Sequence, residues 1–282
     1  MRLSIIMLER KWTMSTVVRD PGTPYVFSND RPTAARLLDA LGQMHDPFTI
    51  RRLTEAGVAP GSRWLEIGAG AGTIAGWLAD QVGPDGEVIA TDVRPQHIRE
   101  HAGVTVVQHN IVTDPLPDGR FDGIHARAVL QHLPERREIL ARLAGVLKPG
   151  GVLVVEEMEA GWSRSVLSTP DERLHEITAH YEAALSQVLR TAGNDPTWCR
   201  SLFAAMETVG LEQVDTQSWQ GSWRGGTGAA LLASVGSTEQ RERLIAAGMT
   251  AGELDLLATL GMDPRVVLRG ILLLSTTGRR PA

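Results

Sequence analysis

From Arg63 to Glu157 one pattern repeats: a short apolar run, a turn, a helical segment, then another apolar run. Residues 64–67, 87–92, 104–109, 123–126 and 152–156 read as strands, and 73–81, 95–101 and 134–147 as the helices between them. Strands joined through helical crossovers pair in parallel, and a parallel sheet needs helices on both faces because both are apolar. The pattern predicts an α/β fold with a doubly wound, mostly parallel sheet. Ligands of such sheets bind in the crevice at the carboxyl ends of the strands.

Helical segments flank this core. Asp30 caps a predicted helix with Pro32 in its first turn, Leu37, Leu38 and Leu41 on one face, and Gly42 past its end. Asp46 and Pro47 open a second, which runs to Ala56 and stops at Gly57. Beyond Glu157, residues 169–172 form a capping-box pattern, and Leu174, Ile177, Tyr181, Leu185 and Val188 follow as one apolar stripe. Residues 196–209 read as another helix, and 211–219 and 266–276 as strands. Capping-box patterns at Ser237 and Thr250 make 222–262 a mostly helical insert. The expected division is an arm over 1–24, a helical cap over 25–60, the α/β core over 61–160, and a helical lid with the last two strands over 161–282. Residues 1–13 fit either a true start at Met14 or an arm that docks on a second copy to give a homo-oligomer.

Composition narrows the partners. The net charge of −5 leaves no basic surface for a nucleic-acid backbone, and no aromatic–basic interleaving offers one. The early apolar run Ile5-Ile6-Met7-Leu8 meets Glu9, Arg10 and Lys11 at once, too short for a signal peptide or a membrane span. The single cysteine, Cys199, excludes an internal disulfide framework and a cysteine-based zinc site. The chain reads as cytoplasmic, with neither nucleic acid nor membrane as partner.

The first strand runs into Gly68-Ala69-Gly70-Ala71-Gly72. Glycines there allow a tight turn and a close approach of backbone to ligand. The third glycine of a dinucleotide fingerprint would fall on Thr73, and no Gly-Lys-Ser/Thr follows, so neither that fingerprint nor a P-loop is present. Glu66, two residues before Gly68, would repel a pyrophosphate and suits a ligand carrying an ammonium and a sulfonium. Asp92, twenty residues after Gly72, can accept both hydroxyls of a ribose. Asn110 could meet an adenine edge while Ile111 packs on the ring; taken alone, an asparagine there is more often a turn former. Glu66, Asp92, Asn110, Arg127 and Glu157 all fall at or just past the carboxyl ends of successive strands, and that shared edge makes them a site.

With these residues in view, the chain resembles the class I S-adenosylmethionine-dependent methyltransferases, over about residues 25–160. LEIGAGAG at 65–72 matches that family's first motif, ATD at 90–92 its ribose acid, and QHNIVTDPLP at 108–117 its adenine loop. FDGIHARAVLQHLPE at 121–135 and LARLAGVLKPGGVLVVEE at 140–157 match its fourth and fifth strand segments. The nearest subgroup is the bacterial small-molecule and natural-product methyltransferases, the quinone-methylating kind included. There the adenine-loop residue is commonly Asp; here it is Asn110. The resemblance implies a seven-stranded sheet whose last two strands pair antiparallel, with S-adenosylmethionine as cofactor and S-adenosylhomocysteine as product. Its implied cofactor contacts are Glu66, Gly68, Ala69, Gly70, Gly72, Asp92, Val93, Asn110, Ile111, Ala126 and Arg127. A cap over residues 25–45 would bring Tyr25 and Arg36 to the methionine carboxylate.

Methyl transfer is an in-line displacement at the sulfonium methyl, so alignment matters more than proton transfer. His132 and Glu157 are the candidate bases, with Gln131 and Arg127 as orienting groups. Glu156, Glu157 and Glu159 cluster after the fifth strand; three acids on a solvated loop are commoner than a metal site, and no metal is expected. Met158, Trp162, Tyr181, Trp219 and Trp223 stand in or beside the inserts and suit a bulky, partly apolar small-molecule acceptor. Two alternatives are a cofactor-binding protein of this fold that catalyses a cyclisation, and a methyltransferase acting on protein or RNA.

Overall fold

A computed structural model describes residues 34–159 and 166–282. The readings at Tyr25, Asp30, Pro32 and Trp162 lie outside these residues. In chain order the elements are α1 (Ala34–Ala56), β1 (Arg63–Ile67), α2 (Thr73–Val82), β2 (Glu87–Asp92), β3 (Val104–Gln108), β4 (Phe121–Arg127), α3 (Arg136–Gly145) and β5 (Leu147–Glu159). There follow β6 (Val166–Ser168), α4 (Arg173–Thr191), α5 (Cys199–Thr208), β7 (Glu212–Trp219) and β8 (Ser222–Arg224). The last are α6 (Gly228–Glu239), α7 (Arg241–Ala246), α8 (Ala251–Leu260), β9 (Val267–Arg269) and β10 (Leu272–Arg279).

Seven strands form the expected sheet, in the order β3-β2-β1-β4-β5-β10-β7. The first five run parallel, and β10 lies antiparallel between β5 and β7. Leu65, Ile67, Ile124, Leu153 and Val155 point into a core shared with α3 and α5. Trp64, Val88, Ala90, Val152 and Val154 point the other way, against α1 and α2. Burial on both faces is what makes these strands read as nearly continuous apolar runs. No described helix is long and apolar enough to cross a membrane.

A second, three-stranded sheet, β6-β9-β8, rises from one edge of the first. β5 and β7 leave at their carboxyl ends to reach it, and β10 enters from it. It joins α4, α6, α7 and α8 around a separate core that holds Val166, Leu174, Ile177, Tyr181, Leu185, Leu244, Leu254 and Leu268. This unit is therefore attached at the carboxyl edge, where the site is expected.

Four expectations change. The two helices foreseen around Gly42 and Pro47 are one, α1, with Pro47 inside it. Packing overrides propensity there, since Ala40, Met44, Phe48 and Leu53 are all buried along its length. The helix foreseen over 95–101 is a single 3₁₀ turn, Pro95–His97. The chain leaves it at Ile98 because Arg99 N–H bonds Ala71 O (3.1 Å), which holds Ile98 against Gly72. The strand foreseen over 266–276 splits into β9 and β10, because Gly270 turns back to bond Gly221 O (2.8 Å). Of the box patterns, that at 169–172 stops short of α4, which starts at Arg173 with no side-chain cap, and that at Ser237 lies near the end of α6 and opens no helix, whereas Thr250 and Glu253 do form a reciprocal capping box on α8.

Two glycines test the packing in opposite directions. A Cβ at Gly123 would stand inside the Trp64 indole, so Gly123→Ala should destabilise by about 1–3 kcal/mol through overpacking. Gly145 ends α3 with nothing near its Cβ position, so Gly145→Ala should stabilise by roughly 0.4–1 kcal/mol. Urea titrations of both variants would check the two signs.

Candidate active site

β1 enters α2 through three glycines in the left-handed region: Gly68 (φ +66°), Gly70 (φ +56°) and Gly72 (φ +77°). A Cβ at Gly68 would collide with Val129, so the loop packs against the turn after β4. Ala69 N–H donates to Thr91 O (3.0 Å), and Gly70 N–H to Asp92 Oδ2 (3.0 Å). Asp92 Oδ1 takes Arg94 N–H at 2.8 Å. Burial pushes the Asp92 carboxyl up, and the backbone N–H groups of Arg94 and Gly70 oppose it. Each of its oxygens has one further acceptor direction, enough for two hydroxyls. Beside it Val93 is 42% exposed, an apolar surface for a ring. These groups fit the nucleoside of S-adenosylmethionine. Asn110 makes the turn after β3: its Oδ1 accepts Val112 N–H (3.0 Å), and Asp114 Oδ2 accepts Asn110 N–H (2.8 Å). Ile111 packs into the core.

Glu66 sits elsewhere than a solvent-facing acid would. It is buried, and its Oε2 meets His125 Nδ1 at 2.7 Å on the neighbouring strand. His125 Nε2 lies 3.5 Å from Glu156 Oε2 on the next strand. Burial alone would push the imidazole down, but the two carboxylates overcome it and hold His125 protonated. Glu156 is correspondingly held down by His125 and Arg127 against its own burial. Thr49 of α1 donates to Glu156 and receives Arg127 Nη1 (2.8 Å), while Arg127 Nη2 reaches Asp46 (2.8 Å). Arg52, one turn further, donates to Ser275 Oγ (3.3 Å). A charged row thus runs under α1 across β1, β4, β5 and β10.

The opposite face holds Glu157. Its Oε1 accepts Leu130 N–H (2.8 Å) and Gln131 N–H (3.2 Å), the open end of a 3₁₀ turn over Leu130–His132. Burial pushes this carboxyl up to about 8 despite those bonds. Gln131 Oε1 accepts Met158 N–H (3.1 Å), which turns its amide nitrogen toward His132 Nε2 at 3.4 Å. On the other side of the ring, Asn194 Nδ2 lies 2.7 Å from His132 Nδ1, so two side-chain amides bracket the imidazole. Burial and Arg136 lower His132 to about 4.

The other expected residues scatter. Ala126 is buried in the core, and Arg36 is exposed on α1. Tyr181 packs inside the lid, where a Cβ on Gly236 would collide with its hydroxyl. Trp223 belongs to β8 and packs on Gly228 and Gly270. Trp219 ends β7 at the carboxyl edge, 38% exposed, stacked on Phe48 (6.2 Å, 17°). Glu159 pairs with Arg200. Glu156, Glu157 and Glu159 therefore answer to three different partners, and no group of three or more ligating side chains could hold a metal among the described residues. His45, Asp46, Thr49, His125 and Asn194 were not foreseen as site residues. The spacing of His45, Thr49 and Arg52 along α1 was the available signal. Nor was Ala128 (φ +54°), whose N–H donates to Glu156 O (2.8 Å) and bends the chain out of β4.

Residues 65–155 match the family model described as a methyltransferase domain. A ubiquinone/menaquinone biosynthesis C-methyltransferase of Cupriavidus metallidurans is 29% identical over 197 residues, 62% of this chain and 77% of that one. A methyltransferase of Strobilurus tenacellus is 35% identical over 139 residues, 49% of this chain and 50% of its own. Among solved structures, phosphoethanolamine N-methyltransferase 2 of Haemonchus contortus, in complex with phosphomonomethylethanolamine and S-adenosylhomocysteine, superposes with a TM-score of 0.53 at 14% identity. That match covers 90% of this chain and 59% of the other, and shows a shared fold.

The raised Glu157 has a consequence for stability. Its ordinary value is 4.5 and its folded value about 8, so ionisation is harder in the folded chain. Stability should therefore fall as pH rises from about 4.5 to 8. Glu157→Gln keeps an acceptor for Leu130 N–H and cannot ionise. It should be the more stable protein at pH 8–9, by on the order of a few kcal/mol, and lose that advantage near pH 4. Parallel slopes for the two proteins across this range would contradict the assignment.

Proposed function

The chain belongs to the class I S-adenosylmethionine-dependent methyltransferases, and on that premise we propose that it methylates a small, bulky, partly apolar metabolite of secondary or quinone-like metabolism. The observation that carries this reading is the lid: a separately cored unit attached along the carboxyl edge, which suits an enclosed acceptor. The Trp219–Phe48 stack at that edge supplies an aromatic wall. The resemblance to a quinone-pathway enzyme supports the same class of acceptor.

S-adenosylmethionine, when bound, supplies a methyl group on a sulfonium. In this reading the three glycines admit its nucleoside, Asp92 accepts the ribose hydroxyls, and Val93 and Asn110 border the adenine. The methionine end then extends toward β4, over the row of Glu66, His125, Glu156 and Arg127, whose charges alternate in sign along the sheet. Glu66 acts there through His125 and the local field. The turn after β4 borders the acceptor, with Gln131 and His132 on it. Both expected bases are engaged within the protein: Glu157 holds the turn from beneath, and His132 is fixed between Gln131 and Asn194. We place them as positioning groups, which suits a reaction governed by alignment.

The test begins with calorimetry. S-adenosylhomocysteine should bind at one site and NADH should not. Asp92→Ala should weaken the former by roughly 1.5–3 kcal/mol, the size of a hydrogen bond to a charged group. A screen with methyl-labelled donor against simple phenols, quinols and amines should give turnover with an aromatic hydroxyl compound. Labelling confined to added protein or RNA would defeat the small-molecule reading.

A further inference from the structure

His45 lies one helical turn before Thr49 and two before Arg52 on the sheet-facing stripe of α1. Arg52 meets Ser275, and Thr49 meets Glu156 and Arg127, so stepping back along the helix carries this stripe toward the carboxyl edge. Trp219 fixes that level. Its Nε1 donates to Met44 O (3.0 Å), and it stands in register with Leu273, itself opposite Met158. His45 is thus on the β5–β10–β7 side of the edge, beside an aromatic stack and away from the nucleoside cradle at β1 and β2.

The imidazole is 1% exposed, and neither ring nitrogen has a hydrogen-bond partner among the described residues. Buried polar side chains nearly always find partners, and leaving both a donor and an acceptor unmade is costly. Glu156 Oε1 is buried in the same way, also without a partner among these residues. Burial and Arg127 keep the ring neutral, lowered to about 3, with Glu156 opposing them. A neutral imidazole carries one lone pair and one N–H. Among the described residues, both ring nitrogens of His45 are left for something else.

Resting on the methyl-transfer reading above, we propose that His45 binds the methyl acceptor, its lone-pair nitrogen receiving first the hydrogen bond and then the proton of an aromatic hydroxyl seated against the Trp219–Phe48 stack. The acceptor oxygen gains the methyl group, the S–CH₃ electron pair stays on sulfur, and the hydroxyl proton goes to His45. The positive charge lost at sulfur reappears on the imidazole, so the enclosed site keeps its net charge. The charge of Glu156 favours the new imidazolium, while Arg127 favours return of the proton once the product leaves.

The experiment compares wild type with His45→Leu, which keeps the bulk and removes both polar functions. The probe is 1,4-dihydroxynaphthalene. Its binding is measured by calorimetry in the presence of S-adenosylhomocysteine, and its methylation with labelled donor. In His45→Leu, kcat should fall by ~10²–10⁴-fold, as for loss of a proton acceptor. Probe affinity should weaken by about tenfold or more, while Tm and S-adenosylhomocysteine affinity are kept, since an unpaired buried polar ring has been replaced by an apolar one. His45→Gln, which restores a donor and an acceptor but no base, should recover probe affinity and not kcat; it also serves if the leucine variant misfolds. Unchanged kcat and probe affinity in both variants would make His45 an ordinary core residue and leave the methyl-transfer reading standing. Wild type that neither binds nor methylates this probe or simple phenols would overturn the acceptor class, and this assignment with it.

Discussion

A protonated histidine between two carboxylates, in the middle of a sheet, organises this molecule. His125 takes Glu66 on one neighbouring strand and Glu156 on the other. Without the imidazolium, two buried carboxylates would face each other across β4, with only Arg127 and Thr49 beside Glu156 to offset their desolvation. With it, Glu156 can carry Thr49 and, through it, Arg127, which fixes α1 over the sheet. The cap helix is thus held by charge as much as by apolar contact. The glycine loop begins two residues beyond Glu66, so its register shares the same anchor.

The two faces of β5 divide the labour. Glu156 and Glu157 are adjacent in sequence, yet one belongs to the network under α1 and the other to the turn of Leu130–His132 on the far side. Alternation along a strand does this without further design. The glycine loop, α1 and the turn of Leu130–His132, which the proposed reaction would use for donor and acceptor, are therefore referred to one strand. Rigidity of this kind is what a displacement governed by alignment requires.

Much of this was legible in the chain. The strand–helix alternation and the glycine loop carried the fold, because burial on both faces of a parallel sheet leaves a strong apolar pattern. Asp92 was legible from its spacing after Gly72. Glu66 was legible as a special acid, but its partner was not, since pairing Glu66 with His125 depends on lateral register between β1 and β4. His45 was hidden for a related reason: a histidine on a helix carries no local signal, and only the docking of α1 buries it. Gly42 and Pro47 misled because propensity describes an isolated helix, whereas α1 is held along its length by neighbours. Tyr181 looked like a ligand aromatic, yet its stripe serves the core of the lid.

The proline that failed to end α1 still leaves its mark. Pro47 has no N–H, so the Gln43 carbonyl lacks its partner one turn on, and Gly42 lies just before it. On the carboxyl side of this weak point, Thr49 and Arg52 pin the helix to the sheet; on the amino side, Leu37 and Ala40 pack on Leu231 and Val235 of α6. The two halves of one helix are thus riveted to two different bodies. Movement of the α6 side against the sheet would bend α1 near residues 42–47, where the helical ladder is thinnest. His45 sits within that stretch.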